Sequence, residues 1–81
     1  MSTTALRLFG IPLTTVERIN RQRTIPIARY EEDGCFDRFG YIKSLADEHG
    51  MDLEQVIEMS DLLGAEEDFD GLVTTLEDYP L

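Results

Sequence analysis

Residues 42–64 decide the fold, and they read IKSLADEHGMDLEQVIEMSDLLG. Apolar residues recur at helical spacing on both sides of Gly50, so the segment predicts two short helices joined by a tight turn. Asp52, with Gln55 three residues later, is typical of a helix N-terminus. Gly64 suits a helix C-terminal cap. We therefore expect a helix-turn-helix-like hairpin at about 40–64, within a mostly helical small domain.

A second helical pattern follows near the C-terminus. Phe69, Leu72, Val73 and Leu76 recur at i, i+3, i+4 and i+7, which is the spacing of an amphipathic helix. Pro80 would end that helix. The pattern predicts a C-terminal amphipathic helix at about 67–79.

The N-terminal half gives weaker patterns. Pro12 suits the first turn of a helix, and that helix should end before Pro26, because the residue that precedes a proline avoids the helical region. Residues 3–9 fit either a strand or a helix. β-Branched residues in 24–30 favour a short edge strand, which an Asp33-Gly34 turn would pair with residues 35–39. The alternative is a loop, so we expect at most one short β-ribbon before Phe39.

Length and composition indicate one small domain over residues 1–81. The hydrophobic fraction of 42% argues against global disorder, although 81 residues is close to the lower limit for a self-sufficient core. A homodimer would cover apolar surface. Cys35 is the only cysteine, so the chain cannot form an internal disulfide. Without a signal pattern or an apolar run of about 20 residues, we expect a cytoplasmic protein with no membrane contact.

The charge is distributed unevenly. The net charge is −10, but residues 1–30 carry +4 as a basic N-terminal segment and residues 31–81 carry −14 as an acidic helical body. In one interpretation the basic segment folds onto the acidic body and partly neutralises it. In the other, the acidic face stays free and attracts a basic partner.

The hairpin segment resembles the helix-turn-helix of small bacterial and phage repressors. Ala46, Gly50 and Val56 stand where that family has a small residue, a turn glycine and a core-facing branched residue. The resemblance implies a helical hairpin and, as an alternative function, a small transcription-regulatory protein. Such a protein would place its arginine-rich segment on DNA, through Arg18, Arg21, Arg23 and Arg29.

The second helix of the hairpin has the wrong surface for DNA. DNA-reading helices present basic or amide side chains, whereas the outward positions here are mostly carboxylates that phosphates would repel. We therefore do not expect direct nucleic-acid binding by this helix. A partner-binding acidic face is predicted instead, made of Glu48, Asp52, Glu54, Glu58, Asp61, Glu66, Glu67 and Asp68.

Residues 66–77 match most of a calcium-binding EF-hand loop, with candidate ligands at Glu66, Asp68, Asp70 and Glu77. Against this, the first position is glutamate rather than aspartate, and the same residues fit the C-terminal helix. A calcium-binding domain is therefore a third interpretation, and we predict no metal site and no cofactor.

The sequence contains no catalytic signature. His49 has no partner histidine or cysteine for metal or acid–base chemistry, and Cys35 has no basic neighbour in sequence that would activate its thiol. We expect a non-enzymatic protein-interaction module that binds a basic partner protein. A specific form of this hypothesis is a nucleic-acid mimic from a phage or mobile element, which inhibits or regulates a nucleic-acid-binding protein.

Overall fold

A computed structural model of the chain describes residues 7–79. Within them, an antiparallel ribbon of β1 (Arg7–Leu8) and β2 (Ile11–Pro12) precedes five α-helices. A 3-10 turn at Ala65–Glu67 comes before the last helix. The prediction of a mostly helical small domain is confirmed. The helices are α1 (Leu13–Arg21), α2 (Ile27–Glu32), α3 (Arg38–His49), α4 (Leu53–Leu63) and α5 (Gly71–Asp78).

The helices α3 and α4 form the predicted hairpin. Gly50 ends α3 in the left-handed conformation, with φ of 64°, and the Met51 N–H donates to the Ala46 carbonyl at 2.9 Å. Glycine tolerates this φ because it has no Cβ. Ala46 and Val56 are both buried, as the resemblance to the helix-turn-helix implies. The hairpin is therefore held by the turn glycine and by close packing of the two helices.

The structure contradicts the predicted strand or hairpin over residues 24–39. Pro26 instead precedes helix α2, and Gly34 (φ 81°) follows it, with the Cys35 N–H donating to the Tyr30 carbonyl at 3.0 Å. Tyr30 is completely buried in this helix, and its packing in the core overrides the local strand preference of the β-branched residues. The ribbon lies at residues 7–12 instead. Of the ambiguous segment 3–9, residues 3–6 lie outside the described residues.

The C-terminal helix is shorter than predicted. Residues 65–67 form the 3-10 turn, and α5 begins only at Gly71. The chain breaks helical geometry between them, where the side chain of Asp68 is drawn into the protein interior. Leu72 and Leu76 are buried as the amphipathic pattern predicts.

One core joins the helices. Each of them contributes a side chain that is completely buried: Ile19, Tyr30, Ile42, Val56 and Leu72, in chain order. Burying such side chains stabilises the fold by roughly 1.5–3 kcal/mol each. None of the helices within residues 7–79 has the length and apolar character required to cross a membrane.

Candidate functional site

A buried polar network lies at the centre of the core. Arg38 Nε and Nη2 donate to the two carboxylate oxygens of Asp68 at 2.8 and 3.3 Å, and Arg38 Nη1 donates to the Ile19 carbonyl at 3.1 Å. The Tyr30 hydroxyl donates to the Asp68 carboxylate at 2.6 Å. The Tyr41 hydroxyl donates to the Asp68 carbonyl at 2.8 Å. These bonds tie α1, α2 and α3 to the segment that leads into α5.

The environment of this network raises the pKa values of Tyr30 and Tyr41, which favours their neutral form. Burial raises the pKa of Tyr30, and the hydrogen bond to the Asp68 carboxylate and its negative charge raise it further. Burial likewise raises the pKa of Tyr41, with added contributions from the charges of Asp33 and Asp68. Both hydroxyls therefore stay protonated as donors, which is a structural role.

The prediction that Asp68 belongs to an exposed partner-binding face is wrong. Its side chain is completely buried against Arg38, because a lone buried guanidinium would need a compensating charge. The same pairing removes Asp68 from the calcium interpretation. Among the described residues, no group of three or more histidine, cysteine, aspartate or glutamate side chains is arranged to hold a metal ion.

Several residues of the predicted partner-binding face line a groove between α4 and the β2–α1 segment. Its floor is apolar, and one wall is formed by carboxylates of α4. A second hollow, lined by Phe9 and Asp52, shares Ile11 and Glu54 with this groove, so the two lie side by side. We call the whole the acidic groove. Its floor contains Ile11, Pro12 and Ile57, and its acidic wall contains Asp52, Glu54, Glu58 and Asp61.

Helical periodicity produces this wall. Val56, Ile57 and Ser60 turn toward the interior, whereas Glu54 and Glu58 are exposed one helical turn apart. Like charges four residues apart destabilise a helix by about 0.2–0.5 kcal/mol per pair. The wall therefore weakens α4 slightly when nothing binds it.

Only one carboxylate of the wall is neutralised by a described residue. Arg18 Nη1 and Nη2 donate to the two oxygens of Asp61 at 2.9 and 3.2 Å, and the two side chains are 34% and 37% exposed. Among the side chains that the structure describes, residues 8–79, Asp52, Glu54 and Glu58 form no ion pair. The groove therefore holds three carboxylates that no described side chain neutralises, beside its apolar floor.

The other predicted acidic residues are not in this groove. Glu48 lines a separate hollow with Asp33 and Tyr41, and Glu66 is exposed on the 3-10 turn. The half-buried Glu67 accepts a hydrogen bond from the Gly71 N–H at 3.2 Å, which supports the start of α5. The predicted face is therefore divided between different parts of the surface.

Most of the predicted nucleic-acid-binding arginines are engaged within the chain. Besides Arg18, Arg29 donates to Asp33 at 3.3 Å and lies 4.0 Å from the centre of the Phe69 ring. Arg23 Nη1 donates to the Ile25 carbonyl at 2.6 Å. Arg21 is exposed and forms no ion pair with a described residue. Basic side chains thus fold onto the acidic body, as the first charge interpretation expects.

Sequence reasoning missed the opposite side of the groove. Ile11 and Pro12 are brought to α4 by the ribbon, and Arg18 reaches a residue 43 positions away. No local sequence pattern predicts contacts between residues so far apart in the chain. A weak signal was the pair of apolar residues on either side of Gly10.

Searches of protein-family models, curated proteins and solved structures found no match to the chain.

Proposed function

We propose that the protein is a non-catalytic interaction module whose acidic groove binds a basic surface of another protein. The observation that carries this proposal is a row of carboxylates that no described side chain neutralises, beside an apolar floor; the row consists of Asp52, Glu54 and Glu58. Such a surface offers a cation both charge and a place for its hydrocarbon stem. Binding would also relieve the repulsion along α4.

The charge of the whole body supports the same partner chemistry. With a net charge of −10, the chain attracts cationic surfaces over about a Debye length, which speeds association and makes it sensitive to salt. Electrostatic complementarity of this kind contributes more to association rate and specificity than to affinity. Contacts in the groove would then decide which basic partner is retained.

The partner we favour is a protein that binds nucleic acid. Glu54 and Glu58 present negative charge about 6 Å apart along α4, as helix geometry requires, and Asp61 continues this row although Arg18 pairs with it. A cationic surface that attracts phosphates would attract this row by the same electrostatics. The protein would then act as a nucleic-acid mimic that excludes DNA or RNA from its partner.

The alternative, in which the arginine segment binds DNA, has less support. Arg18 and Arg29 are paired with carboxylates, and Arg23 is bound to a carbonyl of its own segment. A phosphate would have to compete with those contacts against the repulsion of the acidic body.

The test is affinity capture from nuclease-treated lysate on the immobilised full-length protein, with elution by a salt gradient. Two variants of equal charge are compared: E54Q/E58Q, in the acidic groove, and E48Q/E77Q, whose exposed residues lie outside it. We expect wild type and E48Q/E77Q to retain a basic protein that moderate salt releases, and E54Q/E58Q to lose it. Purified DNA should compete with the wild-type chain for the captured protein.

Equal capture by both variants would contradict a role for the groove. Capture of only this chain, or binding of the purified DNA to the immobilised protein itself, would contradict the proposed function as a whole.

A further inference from the structure

We infer that the segment held by the acidic groove carries arginine, and that Arg18 competes with it from within the chain. This inference rests on the proposed function, because it specifies the chemistry of the basic partner at the same groove. Arg18 and Asp61 both line the groove, and the other carboxylates of its wall form no ion pair with a described side chain. Arg18 therefore already occupies one of the places where a partner cation would bind.

The geometry of this internal pair favours arginine over lysine. Two guanidinium nitrogens of Arg18 meet the two oxygens of Asp61, at 2.9 and 3.2 Å. A planar guanidinium makes this two-bond contact, whereas an ammonium group acts as a single point of charge. The acidic wall is thus compatible with the forked contact that arginine makes.

The floor of the groove suits the rest of an arginine side chain. The apolar surface directly beside Glu54 and Glu58 is small, and it consists of the half-buried Pro12 and the edges of Ile11 and Ile57, which are 3% and 6% exposed. Long basic side chains lay their methylene stems on such surface and keep the charged end at its edge. A segment with arginines would therefore cover the floor and pair with the wall in one arrangement.

The internal pair is suited to exchange. The side chains of Arg18 and Asp61 are about one-third exposed, and exposed ion pairs contribute little to stability. Arg18 Nη1 also donates to the side chain of Gln22, the C-cap of α1, at 3.1 Å, so it keeps this partner after leaving Asp61. A partner arginine can then take Asp61 without disturbing the core.

The experiment titrates the full-length protein with a hexa-arginine peptide and with a hexa-lysine peptide at low salt. It compares R18Q with R29Q. Each variant removes one positive charge and an exposed pairing to an aspartate, but Arg29 pairs with Asp33 and, at 3.9 Å, with Glu32, and neither of them lines the acidic groove. We expect R18Q to bind hexa-arginine about two- to fivefold more tightly than R29Q does, which corresponds to the range of exposed ion pairs. Wild type should prefer hexa-arginine to hexa-lysine.

Equal affinities of R18Q and R29Q would overturn the competition by Arg18. Equal affinities for the two peptides would overturn the preference for arginine. If no variant binds hexa-arginine while lysate capture still yields a basic protein, this inference fails and the proposed function stands. Thermal unfolding of both variants controls for loss of the fold.

Discussion

Two aspartate–arginine pairs link the N-terminal half of the chain to its acidic C-terminal half, and they lie in opposite environments. Arg38 and Asp68 are 1% and 0% exposed, and the Tyr30 hydroxyl donates a further hydrogen bond to the Asp68 carboxylate. Arg18 and Asp61 are one-third exposed at the edge of the acidic groove. The same pair of residue types is thus fixed in the core and exchangeable at the surface.

The difference between the two pairs indicates which charged side chains are free to bind a partner. A buried ion pair that loses one partner leaves an uncompensated charge in the interior, so it must stay closed. A solvated pair costs little to open. Acidic residues that look alike in sequence therefore divide into structural ones, such as Asp68, and those that can bind a partner, such as Glu58.

The largest effect is expected from D68N, which leaves the Arg38 charge buried without its counterion. We expect the free energy of unfolding to fall by about 3–5 kcal/mol. Urea denaturation of D68N and D61N, side by side, measures the contrast. D61N should lose about 1 kcal/mol or less. Similar losses of unfolding free energy in D68N and D61N would contradict the difference between the buried and the exposed pair.

The next effect concerns Tyr30. In Y30F the Asp68 carboxylate loses a hydrogen bond of 2.6 Å, and hydrogen bonds to charged groups contribute about 1.5–3 kcal/mol. We expect a loss of stability within that range by urea denaturation. Y79F is the control, because Tyr79 is 40% exposed and should change stability little. A Y30F variant as stable as Y79F would show that the hydroxyl adds nothing to the network.

Alkaline pH should weaken the buried network. The pKa values of Tyr30 and Tyr41 are raised in the folded state, so the unfolded chain releases their protons first, at about pH 10. The stabilisation is complete below about pH 10 and declines above it, by about 1.4 kcal/mol per pH unit for each tyrosine. Denaturation at pH 9 and pH 11 measures this decline. Y30F should show a smaller decline than wild type, and an equal decline would contradict the assignment to Tyr30.

The smallest effect on stability is expected in the acidic groove. E54Q/E58Q removes a like-charge pair of α4, so the variant should be as stable as wild type or more stable by about 0.2–0.5 kcal/mol at low salt. Adding salt should reduce the difference by screening. A clear destabilisation would mean that these carboxylates support the fold rather than a partner.

The sequence predicted the elements whose signals are local. The hairpin at about 40–64 follows from apolar spacing and from Gly50, and its two helices lie at Arg38–His49 and Leu53–Leu63. The segment around Tyr30 was predicted wrongly, because its helix is stabilised by packing and by a bond to Asp68, 38 residues away. Local β-branched preference does not contain that information.

The same limit applies to the candidate site. The exposed carboxylates of α4 could be predicted from helical periodicity, whereas the apolar floor at Ile11 and Pro12 depends on how the ribbon docks. Asp68 was assigned to the surface because nothing in its neighbouring sequence reveals Arg38 as its partner. The sequence gives the number of carboxylates, whereas the fold determines which of them remain unpaired at the surface.

The most direct test of the account is a nuclear magnetic resonance titration of the full-length protein with the hexa-arginine peptide. We expect amide shifts to concentrate at Ile11, Thr15, Glu54 and Glu58, and the amides around Glu48 to stay unchanged. Shifts spread evenly over the acidic surface, or centred on the hollow beside Glu48, would contradict the acidic groove as the site of binding.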